Sequence, residues 1–132
     1  MLTAVLDTNV IVSALRTSGG NPAKILDMFH AGEICVCYSE DICAEYLGVL
    51  SREKFGFPKP LVEALLLEIR TFGVGVAVSA SDFPMPDETD RKFYDVARVS
   101  GAFLITGNAK HYPGDRFVLS PKEFCDFYAG DW

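Results

Sequence analysis

Short apolar runs alternate along the chain with longer runs in which apolar residues recur at helical spacing, and this alternation predicts the elements. Leu2 to Leu6 reads as a buried strand. After the loop "RTSGGNP", Pro22 suits the first turn of a helix reaching about His30, with Gly32 as its stop. "EICVCY" is a second strand. Ser39 then caps a helix through about Leu50, and Glu40 and Asp41 favour the positive end of its dipole. "PKPLVEALLLEIRTF" is an amphipathic helix closed by Gly73, and "VGVAV" a third strand. A helix from about Glu88 to Ser100 precedes "AFLIT", the fourth strand. "RFVLSPKEFCDFY" supplies a short fifth strand and a last helix, opened by a capping box of Ser120 and Glu123 with Pro121 between them. Strands rich in Val, Ile and Leu that alternate with helices imply an α/β fold, a mainly parallel sheet covered on both faces in a three-layer α/β/α sandwich.

The 132 residues hold no repeat, low-complexity segment or linker, so a single domain over 1–132 is expected. No apolar stretch approaches a membrane span, and the N-terminus lacks the basic region and cleavage site of a signal peptide. A cytoplasmic protein without membrane contact is therefore expected. The cysteines Cys35, Cys37, Cys43 and Cys125 have neither Cys-x-x-Cys spacing nor a His cluster, so they read as buried free thiols. A net charge of −6 argues against nucleic-acid binding spread over the whole surface. It leaves room for a local basic patch and for an acidic cluster that a metal ion neutralises.

In an open parallel sheet, ligands bind outside the carboxyl ends of the strands. Asp7 is the first residue past strand one, with Asn9 beside it, and Thr106 and Asn108 hold the equivalent place after strand four. Glu45 lies in the helix after strand two, amid Ile42, Tyr46 and Leu47. Asp90 stands near the start of the helix before strand four, one turn after Asp87. Each has a plain reading too. Asp7 and Asn9 suit a helix cap at Val10, Asp87 suits a helix N-terminus, Glu45 a solvated helix face, and Asn108 a turn.

Taken together, "VLDTNVIVSAL", Glu45 and "DETDRKFYDVARVSGAFLITGNAKHYP" resemble the PIN-domain nucleases, most closely the toxin components of VapBC-type toxin–antitoxin pairs. The resemblance spans almost the whole chain. Its most specific part is the separation of Asp90 from Thr106. It implies that Asp7, Glu45 and Asp90 are the three metal-binding acids, holding Mg²⁺ or Mn²⁺ and catalytic together with Asn108, and that Asn9, Thr106 and Asp87 support them. Many PIN nucleases carry a fourth acid where this chain has Asn108. An amide oxygen can ligate a hard cation or orient a water, but it brings no charge, so one ion or two remains open. The implied activity is an endoribonuclease cleaving RNA phosphodiester bonds, with an antitoxin protein as partner.

Hydrolysis of a phosphodiester needs an activated water and charge stabilisation at the phosphate, which Mg²⁺ or Mn²⁺ on oxygen ligands provides. Arg16, Arg52, Lys54, Lys92, Lys110 and His111 lie in or near loops adjoining the rim, where they can supply phosphate contacts, although for most of them a plain solvated charge is the commoner reading. A dinucleotide site would need Gly-x-Gly-x-x-Gly where Asp-Thr-Asn stands. A phosphoryl-aspartate hydrolase using Asp7, and a catalytically inactive PIN-like module working through protein contacts, stay open as alternatives. The Leu-rich stretch "VEALLLEI" exceeds one core-facing stripe, which predicts either a homodimer or antitoxin contact or a helix covered on two sides.

Overall fold

The computed structural model describes residues 1–130; Asp131 and Trp132, the last two of the expected domain, lie outside the described residues. Five parallel strands form one sheet: β1 (Leu2–Leu6), β2 (Ile34–Tyr38), β3 (Val74–Gly75), β4 (Phe103–Ile105) and β5 (Val118–Leu119), in the spatial order β3-β2-β1-β4-β5. Six α-helices join and cover them: α1 (Thr8–Arg16), α2 (Asn21–His30), α3 (Glu40–Leu50), α4 (Lys59–Phe72), α5 (Arg91–Ser100) and α6 (Pro121–Tyr128). This is the expected α/β/α arrangement. Its core comes from the strands and inward helix faces, including Val5, Val36 and Leu104 from the sheet, Ile25 from α2, Tyr46 from α3 and Phe93 from α5, none with measurable exposure.

The local signals act as the chain predicts. Ser39 accepts a hydrogen bond from the Ile42 amide and starts α3. Ser120 and Glu123 form a reciprocal capping box at α6. All four cysteines are free, but only Cys37 and Cys43 are buried as expected, Cys35 and Cys125 being half-buried. Among the described residues no helix is long and apolar enough to cross a membrane.

Three elements differ from expectation. The helix that a cap at Val10 would open starts two residues earlier and runs Thr8–Arg16, with Asp7 at its N-cap position but making no side-chain capping bond. The helix expected from Glu88 begins as a 3₁₀ turn over Glu88–Asp90 and becomes α-helical at Arg91. The third strand is cut to Val74–Gly75. Gly75 pairs with Tyr38, the last residue of β2, and the Val76 amide takes the Tyr38 carbonyl at 2.7 Å. Beyond Tyr38 the neighbouring chain turns into α3 at Ser39, so Ala77 and Val78 have no strand to pair with. Gly73 is needed at this crossing for space: a Cβ there would lie 2.4 Å from the Ile69 carbonyl oxygen and 2.5 Å from that of Val36.

The strand order also locates a crevice. From β1 the chain moves to β2 and β3 on one side, then returns to β4 on the other. The reversal falls between β1 and β4, and the adjacent carboxyl ends of such strands are where open α/β sheets bind ligands.

Candidate active site

Asp7 and Thr106 each follow the last residue of one of these two strands. The Asp7 amide hydrogen-bonds the Ile105 carbonyl at 2.9 Å, so both residues stand at the same end of the sheet. Both are buried. The Thr106 hydroxyl donates to Asp7 Oδ2 at 2.9 Å, and the Tyr112 hydroxyl donates to the same oxygen at 2.9 Å. Burial raises the pKa of Asp7, these two bonds partly oppose the rise, and the charge of Glu45 adds to it. The carboxylate is thus oriented by neutral donors and, among the described residues, forms no ion pair with a cation.

Glu45 reaches the site because α3 crosses the end of β1. The adjacent Tyr46 is fully buried and its hydroxyl donates to the Leu6 carbonyl, pinning the helix there. Both Glu45 oxygens are engaged: Lys92 Nζ contacts Oε1 at 2.8 Å, and the Thr8 hydroxyl donates to Oε2 at 2.5 Å. Asp90 enters from the 3₁₀ turn before α5, with its side chain 16% exposed and His111 Nδ1 3.7 Å from Oδ2. Its pKa is pushed up to about 6, first by burial, then by the charges of Asp7 and Asp87, with His111 opposing and Glu45 adding a smaller push. Three carboxylates from three separate parts of the chain therefore repel one another at one place.

The remaining expected residues have different roles. Asn9 Oδ1 accepts the Gly107 amide at 3.1 Å, so it ties the loop after β4 to α1 rather than bonding an acid through its side chain. The Asn108 amide donates to Thr106 Oγ1 at 3.0 Å, while its side chain is exposed in a cleft of about 270 Å³ shared with Asn9 and Gly107. Asp87 is exposed and caps the 3₁₀ turn, accepting from the Thr89 amide at 2.9 Å and its hydroxyl at 2.8 Å. That is the plain helix-start reading of Asp87, and its influence on Asp90 is one of charge.

Tyr112, Thr8 and Tyr46 were not legible as site residues. Tyr112 stands in an irregular loop after "AKH", where no periodicity marks a buried side chain. Lys92, read from sequence as a solvated charge or a phosphate contact, instead pairs with Glu45. It also lines, with Arg91, Glu40 and Asp41, a second cleft of about 590 Å³ beside the acids.

The donor set tests whether a metal ion suits the site. Among the described residues no three His, Cys, Asp or Glu side chains stand close enough together to enclose an ion. The expected three-acid enclosure is therefore not closed, because Lys92 and Thr8 hold Glu45. The chemistry of the set still fits a hard divalent cation: the acids provide oxygen ligands only, and their mutual repulsion is what such an ion relieves.

The residues around this site match a known family. Residues 3–110, which include Asp7, Asn9, Glu45, Asp90, Thr106 and Asn108 and stop short of Tyr112, match the PIN domain. The chain belongs to the PIN-domain family. It is also 32% identical over 108 residues to an uncharacterized protein of Methanocaldococcus jannaschii, covering 79% of this chain and 69% of that relative. PIN domains are generally nucleases, typically use divalent metals and generally bind nucleic acid.

The Asp90 environment predicts a pH dependence of this PIN domain. Because its folded pKa lies above the ordinary 3.8, the folded chain binds the proton more tightly than the unfolded one. The contribution of this group to stability is full below 3.8, declines as pH rises through the window up to about 6, and stays low above it. In EDTA, Asp90→Asn is expected to be more stable than wild type by about 1 kcal/mol at neutral pH, after allowance for solvent screening. The gain should vanish at low pH. Urea midpoints measured across that window test this, and a constant difference at every pH would refute it.

Proposed function

We propose that this chain is a Mg²⁺- or Mn²⁺-dependent endoribonuclease, the toxin of a toxin–antitoxin pair, with Asp7, Glu45 and Asp90 as its metal-binding, catalytic acids. The observation that carries the reading is the convergence of these three carboxylates at the β1/β4 switch point, where burial and the charge of Glu45 raise the pKa of Asp7, and burial and the charge of Asp7 raise that of Asp90. A divalent ion bound there would acidify a water and offset charge on the phosphate. Thr106 and Tyr112 orient Asp7 by donating to the same oxygen, Oδ2. Lys92 is proposed to exchange between Glu45 and a phosphate oxygen of the substrate. Asn108 supports the site through its exposed amide. Asn9 acts at one remove, by holding the loop that carries Thr106.

RNA as the substrate rests on the resemblance to VapBC toxins; the residues themselves point to a phosphodiester. The deciding assay is cleavage of single-stranded RNA with Mn²⁺, with EDTA, and by the Asp7→Asn protein. Cleavage only by wild type with Mn²⁺ supports the proposal, and equal cleavage in all three refutes it. A second reading is an inactive PIN module acting through protein contacts. Its support is that Lys92 already neutralises Glu45 and that Asn108 carries no charge. No cleavage under any condition favours that reading.

The partner proposal rests on α4. Val62, Leu65 and Ile69 face the core, whereas Leu61, Leu67 and Phe72 are exposed, with Leu67 66% and Phe72 72% accessible. The helix is therefore not covered on two sides. We assign this face to a homodimer or antitoxin contact. Light scattering should give twice the monomer mass for wild type or a monomer that dimerises only with the antitoxin, and Leu67→Glu should prevent the association. Wild-type association unaffected by Leu67→Glu would exclude this face.

A further inference from the structure

A separate aromatic and cationic cluster lies at the far ends of α1 and α3, the helices that begin beside the acids. α1 ends at Arg16, and α3 is followed by a 3₁₀ turn over Glu53–Phe55. Arg16 Cζ lies 5.9 Å from the centroid of the Phe55 ring, and Lys54 Nζ lies 5.1 Å from it. The Phe55 and Phe57 rings are stacked, with centroids 5.5 Å apart and planes 12° from parallel. Between them Gly56 has φ 65°, a conformation glycine adopts freely, and the reversal brings the two rings side by side.

The two phenylalanines differ in what holds them. Phe57 packs against the hydrophobic core, whereas Phe55 is half-buried without joining it. Its ring meets Phe57 and the two cationic side chains. Arg16, Arg52 and Lys54 are all exposed, and one acid, Glu53, lies in the same turn. In a chain of net charge −6 this is a local excess of positive charge. Exposed cation–π contacts add only about 0.5–1 kcal/mol each, little return for holding an aromatic ring away from the core at the surface.

A π face bordered by Arg and Lys is the chemistry that binds single-stranded nucleic acid: a base stacks on the ring and the flanking cations meet its phosphates. α1 has 9 residues, which at the helical rise spans about 13 Å. The cluster is thus a few nucleotides along the surface from Asp7. We propose that Phe55, flanked by Arg16 and Lys54, is a base-stacking platform that holds single-stranded RNA beside the site. The choice of RNA rests on the ribonuclease reading. The platform sets the register of the strand over the carboxylates and selects against duplexes, whose bases are not free to stack.

Fluorescence anisotropy with a short labelled single-stranded RNA, and with a duplex of the same length, tests this in EDTA, where no cleavage is needed. Phe55→Leu keeps the apolar bulk and removes the π face. It should weaken single-strand binding about tenfold, the effect of one lost base stack, and leave duplex binding unchanged. Phe55→Trp should retain or tighten single-strand binding. The Arg16→Gln, Lys54→Gln double variant should weaken single-strand binding and reduce its salt dependence. Should Phe55→Leu also lower the urea midpoint, Phe55→Trp and the double variant decide. Single-strand affinity unchanged in Phe55→Leu, an equal loss for strand and duplex, or no RNA binding by wild type overturns the platform. Absence of cleavage under every metal with Phe55-dependent binding intact would remove the ribonuclease reading alone. Cleavage abolished by Asp7→Asn with binding indifferent to Phe55 would remove the platform alone.

Discussion

The Asp7→Asn protein is expected to fold, to gain stability in EDTA at neutral pH, and to lose RNA cleavage by about a thousandfold or more. The two effects share one cause. Asp7 is 7% exposed, and its raised pKa means that the buried charge is costly in the folded state. Asparagine keeps the shape, and its carbonyl oxygen can accept the bonds from Thr106 and Tyr112 that Oδ2 accepts now. Repulsion with Glu45 disappears. The sign follows from linkage: a carboxyl whose folded pKa is raised contributes its full stability at low pH and loses it as pH rises, so removing the ionisable group helps at neutral pH. The same charge is the one proposed to hold the metal, so its loss should remove activity while the denaturation midpoint rises. Urea unfolding in EDTA and a cleavage assay with Mn²⁺ read both. A variant that is less stable and inactive would mean that Asp7 is chiefly structural, and an active variant would exclude it from the chemistry.

Thr106→Val should be the most damaging of the neutral substitutions. Thr106 is fully buried, and its hydroxyl donates to Asp7 while accepting the Asn108 amide. Valine preserves the volume but breaks both bonds, leaving a buried carboxylate with one donor fewer and an amide without its acceptor. A cost of about 1–3 kcal/mol is expected. Losing a bond that lowers the pKa of Asp7 moves that pKa further up, so the acid limb of the pH–rate profile should shift to higher pH. Cleavage at neutral pH should fall about tenfold to a hundredfold, as when a residue that orients a metal ligand is removed. Thr106→Ser restores the hydroxyl and should recover most of both. Stability and profile unchanged in the valine variant would exclude this role.

The candidate acids were accessible from sequence because each follows a readable local feature. Asp7 and Thr106 directly succeed apolar strands, and Asp90 precedes a strongly amphipathic helix. Glu45 was weaker, since a lone acid on a helix has many surface explanations, and only its place in the family pattern singled it out. Its contacts explain why: the residue that positions it, Tyr46, acts through a hydroxyl bond to Leu6, 40 positions earlier in the chain. Lys92 was read as a solvated charge or a phosphate contact because nothing local distinguishes a cation facing solvent from one facing Glu45, 47 positions away. The third strand was overextended for a related reason. "VGVAV" has strand composition throughout, but pairing needs a neighbour, and β2 ends at Tyr38.

Local patterns alone determined the order of the elements from α2 onward, the caps at Ser39 and Ser120, the parallel α/β class and the polar residues at the strand ends. These depend on side-chain periodicity and on backbone groups within a few residues, interactions the chain specifies without knowing its distant parts. Tertiary structure decided the strand order that puts β1 beside β4, the contact of Tyr112 with Asp7, and the pairing of Lys92 with Glu45. It also decided that Arg16 lies over the ring of Phe55. Each of these joins residues brought together only by packing, and whether a buried charge meets a hydroxyl, a cation or another carboxylate depends on how the elements cross, which periodicity does not encode.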